Sequence, residues 1–286
     1  MFAKAERSDT SIKLAITGPS GSGKSFGALK LARGLAGPTG KIAFIDTENG
    51  SGKLYYNLTE FFHYDMTPPF EHKKFIGAVK EAEQAGFDCV IIDSMSHLWQ
   101  GILDYKDTLD RKGGNSFANW NEAGKLFNET LQTILQAGIH VIVNMRVKME
   151  YVLREEVNAK GKAVSVPKKV GLSPIMRDNI EYEFSTVLEV GMDHQCTPSK
   201  DRTGLFIGKT FQIDEGTGEL IAAWLSGNPV IQEPCKETER FLKLIHAAAS
   251  KDALGKIGKK IKDSMLSESQ KEVIRKVYRE KSNSLA

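Results

Sequence analysis

Gly18-Pro19-Ser20-Gly21-Ser22-Gly23-Lys24-Ser25 decides the fold, together with the apolar run Ile12-Lys-Leu-Ala-Ile-Thr17 before it and the helical pattern Phe26 to Leu35 after it. The eight residues fit G-x-x-x-x-G-K-[ST], a phosphate-binding P-loop. Its glycines let the backbone turn so that N–H groups converge on an anion. Lys24 reaches the β- and γ-phosphates of a nucleoside triphosphate, and the Ser25 hydroxyl holds Mg²⁺. The following helix aims its positive end at the same charge. Ile12–Thr17 reads as a buried strand, and Phe26, Leu29, Leu31 and Leu35 suit a helix packed on a sheet. A Gly/Ser linker has no reason to lie between such elements. Gly18 to Phe26 are therefore the candidate nucleotide-binding residues.

Outward from the loop, strands and helices alternate. Lys41–Asp46, Phe87–Asp93 and His140–Asn144 are apolar runs that each end in a polar residue. Helical spacing covers Glu71–Ala85, His97–Leu109 and Trp120–Ala137, while Arg111–Asn119 reads as a polar, glycine-containing loop. Residues 51–70 show little periodicity. Alternation of this kind predicts a mainly parallel sheet covered on both faces. The pattern then changes to a β-hairpin (Tyr151–Val157, a turn at Asn158–Lys162, Ala163–Val166) and closely spaced strands at Glu183–Val190, His194–Ser199 and Leu205–Ile213. A short helix follows at Gly218–Leu225. The predicted organisation is an α/β core over 1–226, a proline-containing linker over 227–235 and a small helical appendage over 236–286. In the appendage Glu237–Ser250 is amphipathic, and Ser267–Ser282 opens on a capping box.

Composition narrows the class. The chain of 286 residues is 41% hydrophobic and 26% charged, values ordinary for a globular protein. It has no apolar run long enough for a membrane span and no signal-like segment after Met1. Three scattered cysteines argue against a disulfide framework, so a reducing cytoplasm is the expected setting. The net charge of +3 is unevenly spread: residues 236–286 hold 13 Lys/Arg against 7 Asp/Glu, and residues 144–177 hold 8 Lys/Arg against 3 Glu. Both segments are candidate polyanion footprints, and a solvated basic surface is the plain alternative.

Asp93 closes an apolar strand and can share the metal with Ser25. Glu48, just past Asp46, can orient a water nucleophile or cap a loop. Asn144 can sense the γ-phosphate through its amide or be a satisfied core residue. Lys200 and Arg202 lie one residue apart in an extended segment, so they point the same way. They read either as a cationic finger supplied to a neighbouring subunit or as a basic turn. His194 and Cys196 share a strand face, but without further ligands they read as packing residues. Trp99, Trp120 and Trp224 read as packing residues, and Phe117 and Trp120 could also stack on bases.

The order of these parts resembles the RecA-like ATPase core over about residues 10–226. Gly18–Ser25 looks like Walker A, Ile45-Asp-Thr-Glu48 like the segment carrying the catalytic glutamate, and Val90-Ile-Ile-Asp93 like Walker B. Val141-Ile-Val-Asn144-Met-Arg is similar to the strand ending in a nucleotide-sensing amide, where RecA carries glutamine. Lys200-Asp-Arg202 looks like the paired finger that acts across a subunit interface. More narrowly, Met145–Tyr151, Val166–Pro174 and Arg177–Phe184 resemble the short phage RecA-like proteins of the Sak type, which are ATP-binding recombination or single-strand annealing proteins. The resemblance implies ATP and Mg²⁺ as ligands, with catalytic roles for Lys24, Glu48, Asp93, Asn144, Lys200 and Arg202. It also implies a DNA-binding hairpin carrying Arg146, Lys148, Arg154, Lys160, Lys162, Lys168 and Lys169.

The expected function is a single-stranded-DNA-stimulated ATPase in phage recombination or annealing. It would work as a ring or short filament of identical subunits in a bacterial host cytoplasm, with a single-strand-binding protein as a candidate partner. Two other classes fit the P-loop: a kinase of a small acceptor, and a nucleotide-gated loader or scaffold that barely hydrolyses ATP.

Overall fold

The computed structural model describes residues 6–7, 10–157, 163–227, 236–248, 250–262, 264, 274–275, 277–279 and 281–282, with the side chains of 150–170, 236–239 and 262 left aside. The chain divides into two compact units, Met1–Asn228 and Pro229–Ala286.

The first unit is a mainly parallel α/β sheet in the order β3-β2-β4-β5-β1-β7-β8, with β6 paired to β5. Its strands are β1 (Lys13–Gly18), β2 (Ile42–Asp46), β3 (Phe62–Asp65), β4 (Cys89–Asp93), β5 (His140–Val157), β6 (Ala163–Pro174), β7 (Thr186–Val190) and β8 (Cys196–Asp201). β1, β2 and β4 are buried along their whole length, as expected of continuous apolar runs between two helical layers. The helices are α1 (Lys24–Ala36), α2 (His72–Gln84), α3 (Met95–Arg111), α4 (Ser116–Gln136) and α5 (Glu215–Leu225). One face is filled by Phe75, Val79, Leu98, Phe127 and Ile134 against Val90, Ile92, Val141 and Val143. On α1 and α5 two glycines meet: a Cβ on Gly34 would lie 1.9 Å from the Glu215 carbonyl oxygen, and one on Gly218 would lie 2.1 Å from that of Leu31. The small residues set how closely these helices approach.

Two expectations are corrected, and one stretch without a reading gains its elements. Residues 51–70 hold a 3-10 turn at Ser51–Tyr55 and the edge strand β3, whose exposed Phe62 and Tyr64 blur the alternation. Leu205–Ile213 is not a strand: it runs as bends with a single bridge from Phe211 to Cys196, because the Asp201 carboxylate accepts the N–H groups of Thr203 and Phe206 and folds the chain over itself. The loop expected over Arg111–Asn119 is shorter, since Asn115 caps α4 by accepting the Phe117 N–H.

The hairpin reading holds and extends. β5 passes through Asn144 without a break and pairs with β6 from Val147↔Pro174 to Val157↔Ala163, with a register shift between Glu150 and Tyr151. Its turn at 158–162 lies outside the described residues. The second unit contains α6 (Lys236–Ala247) and α7 (Lys251–Lys262), with Phe241, Ile245, Leu254, Ile261 and Ile274 buried together. The capping box at Ser267 lies outside the described residues. Among the described residues, no helix is long and apolar enough to cross a membrane.

Candidate active site

Strand register gathers the polar residues that end the central strands. β5 lies between β1 and β4, with Asn144 opposite Ile16 on one side and Asp93 on the other. Asp46 pairs with Asp93 across β2 and β4, and Gly18 with Arg146 across β1 and β5. Loop, acid and amide therefore converge at the carboxyl edge of the sheet, where doubly wound folds bind ligands.

The loop itself turns through left-handed glycines, Gly21 at φ 81° and Gly23 at φ 92°. The Lys24 ammonium donates to the Pro19 carbonyl at 2.8 Å, bridging its own loop. Burial pulls Lys24 below its ordinary pKa, against the opposing pull of Asp93 and Glu48. The Ser25 hydroxyl donates to the Asp93 carboxylate at 2.5 Å. Burial pushes Asp93 up to about 6, against the hydrogen bond from Ser25, with the Glu48 charge adding to the rise.

Asn144 is fully buried. Its amide lies close enough to Asp93 to favour the ionised carboxylate, yet neither amide atom has a well-formed hydrogen bond. The Ser22 hydroxyl is likewise buried without a partner. Unpaired buried polar atoms are costly; Ser22 lies in the lining of the cavity at the loop, and Asn144 lies beside Asp93 in the strand register.

Asp46 builds the turn that presents Glu48. Its carboxylate accepts the Glu48 N–H at 2.6 Å and the Gly52 N–H at 2.7 Å, and lies 3.0 Å from His63 Nε2. Glu48 is half-exposed and paired with Arg146, whose Nε and Nη2 both lie 2.9 Å from Glu48 Oε1. Arg146 is in turn fixed by its backbone N–H on Ser96 Oγ at 3.0 Å. Beneath this pair, Thr47 Oγ1 accepts the Ser94 N–H and lies 2.6 Å from His97 Nδ1, while the His97 ring stacks on Phe70. Burial and then the Arg146 charge hold His97 below its ordinary pKa.

The loop residues Ser20–Gly27 with Glu48, Asp93 and Arg146 line a cavity of about 870 Å³ that also takes in Leu54, Tyr55, His194, Gln212 and Ile213. Phe26 and Tyr55 meet edge to face at 6.4 Å. An apolar, partly aromatic end and a cationic, glycine-rich end are what a nucleotide's base and phosphates require.

Of the residues singled out in the sequence, Gly18–Phe26, Glu48, Asp93 and Asn144 come together. Arg146, expected on a DNA-binding surface, sits in the cavity at the root of the β5–β6 hairpin. Lys148 is exposed on β5; the side chains of Arg154, Lys168 and Lys169 and the whole of Lys160 and Lys162 lie outside what the structure describes. Lys200 and Arg202 do not line the cavity of their own chain. The Lys200 ammonium donates to the carbonyls of Glu181 and Tyr182 at 3.1 and 2.6 Å, and Arg202 is exposed. Cys196 is a core residue as expected, but His194 is not a packing residue: it reaches the P-loop. Leu54, Tyr55 and Gln212 carry no motif in the sequence, and His194 reads there as packing, because each is brought to the loop from a distant turn. An aromatic pair inside an unpatterned stretch was the one local hint.

Fold and site together define a P-loop nucleoside-triphosphatase core. Residues 10–215 match the family model described as an AAA domain, and the chain belongs to that family. Its members are ATPase-type domains, so nucleotide binding is the activity the family carries. A search of the curated proteins finds no match.

Proposed function

We propose that the chain is an ATPase that binds single-stranded DNA and serves phage recombination or strand annealing, as the resemblance to the Sak-type proteins suggests. The observation that carries the reading is the Glu48–Arg146 pair, which joins the cavity to the root of the hairpin. Two further features support a nucleic-acid surface. Lys148 is exposed on the hairpin, and Phe117 (74% exposed) and Trp120 stand open near the start of α4, with the Lys106 ammonium 5.0 Å from the Trp120 ring. Exposed aromatics suit stacked bases.

The residues fit Mg²⁺-ATP. Gly21 and Gly23 form a cradle of left-handed backbone, and the unpaired Asn144 amide and Ser22 hydroxyl need polar partners. Ser25 and Asp93 would hold the metal, which when bound neutralises charge developing on the phosphates. Lys24 and the loop N–H groups hold the triphosphate. Asn144 senses its terminal phosphate, and Glu48, once free of Arg146, orients the attacking water. Lys200 and Arg202 act on the site of a neighbouring copy, in keeping with their place outside the cavity of their own chain.

The test is ATP hydrolysis with and without single-stranded DNA, for the parent, Lys24→Ala, Lys200→Ala/Arg202→Ala and a deletion of 147–170. The expected result is a DNA-stimulated rate lost in the first two variants, and loss of stimulation but not of ATP binding in the deletion. A rate indifferent to DNA, or phosphate transfer to a small acceptor, would refute the proposal.

A further inference from the structure

The turn between β7 and β8 lies on the P-loop, and one side chain in it makes a directed contact. His194 Nδ1 lies 3.0 Å from the Ser22 carbonyl oxygen. A carbonyl can only accept, so Nδ1 carries the proton and the tautomer is fixed. The turn is built to deliver this ring: the Gly191 N–H donates to the Gln195 carbonyl, the His194 N–H to the Gly191 carbonyl, and the Gln195 N–H to the Asp193 carboxylate. His194 itself has φ 61°, in the left-handed region that few non-glycine residues occupy. Strained backbone of this kind persists where its surroundings hold it, often at ligand sites. The packing is close: a Cβ on Gly23 would come 3.2 Å from His194 Nδ1, and one on Gly21 would come 3.8 Å from Met192 Cε.

We infer that His194 is a positioning residue for phosphate binding, acting through the Ser22–Gly23 peptide. Across a trans peptide the C=O and the next N–H point in opposite directions on one rigid plane. Holding the Ser22 oxygen on the imidazole therefore fixes the direction of the Gly23 N–H, a backbone donor of the loop. Left-handed glycines leave that plane free to rotate, and a donor that must be oriented on binding contributes less than one already aimed. The inference rests on the reading of Gly18–Ser25 as a phosphate loop. It adds a residue outside every motif of the sequence and ties the β7–β8 hairpin, which also carries Lys200, to the nucleotide site.

The experiment compares His194→Ala, His194→Gly and His194→Asn by titration with a fluorescent ADP analogue, beside Lys24→Ala and the parent, with thermal melting of the nucleotide-free proteins. Losing one oriented hydrogen bond near a charged ligand should weaken ADP binding about tenfold in the alanine and glycine variants. Asparagine tolerates left-handed backbone and has an amide N–H to offer the Ser22 oxygen, so it should recover most of the affinity. Glycine removes the backbone strain, so its variant should melt no lower than the parent while still binding weakly. Equal affinity in the parent and the three His194 variants would overturn the inference. So would an asparagine variant as weak as alanine, or a glycine variant that melts far below the parent, because the contact would then be merely structural. Failure of the P-loop reading would show in the parent itself, as absence of ADP binding.

Discussion

Asn144→Leu should make the nucleotide-free protein more stable and the enzyme worse. The residue is fully buried on the central strand β5, and neither its amide nitrogen nor its amide oxygen has a well-formed hydrogen bond. Leucine has nearly the same size and brings no polar atoms. An unsatisfied buried polar group costs about 1–3 kcal/mol, so the exchange should stabilise by about 2 kcal/mol. For a domain of this size that corresponds to a melting temperature higher by about 4–8 °C. The amide also favours the ionised form of Asp93, so its loss leaves that carboxyl harder to ionise. If the amide meets the terminal phosphate, hydrolysis should fall about 10- to 100-fold, the worth of a hydrogen bond to a charged group. ADP affinity should change little. Calorimetry of the nucleotide-free protein and steady-state phosphate release measure the two effects on one sample. A lower melting temperature, or hydrolysis at the parent rate, would refute the reasoning: the first would mean that the amide is already satisfied, the second that it faces no reacting group.

Glu48→Gln should keep ATP binding within about threefold and lower hydrolysis by about 10²–10⁴, the range for losing a positioned carboxylate; nucleotide titration and phosphate release check the two halves. Gly34→Ala should destabilise despite the roughly 1 kcal/mol that alanine gains over glycine in a helix, because its Cβ would lie 1.9 Å from the Glu215 carbonyl oxygen. Overpacking of this kind costs about 1–3 kcal/mol or more, and a higher melting temperature would contradict it. Acid should weaken the fold through His140, which burial and the Lys13 charge hold below its ordinary pKa while its Nδ1 accepts the Ile12 N–H. Below pH 6.5 the unfolded chain takes up a proton that the folded one refuses, so stability present above that pH is lost as pH falls. Denaturant unfolding at pH 7 and pH 5 should show a smaller drop in His140→Gln than in the parent.

What the sequence determined is what local chemistry determines. A strand, a glycine-rich turn with Lys24 and Ser25, and a helix signal an anion site because each part works through its own backbone. The apolar runs ending at Asp46, Asp93 and Asn144 are legible because a doubly covered parallel strand needs apolar residues on both faces. The hairpin was visible in its alternation. The stretch 51–70 was not, because an edge strand with exposed Phe62 and Tyr64 loses the contrast between faces. Nor was the end of the strand pattern after Asp201, where a carboxylate capturing two backbone N–H groups outweighs β-propensity.

Tertiary structure alone decided which polar residues meet. Placing β5 between β1 and β4 sets Asn144 beside Asp93, and strand order depends on the packing of whole helices rather than on any one segment. The same order brings Arg146 to Glu48, turning a residue expected to face DNA into the partner of a carboxylate in the cavity. His194 reaches Ser22 across 172 positions of sequence. A hydrogen bond depends on separation in space within about 3 Å, and spacing along the chain carries no record of it.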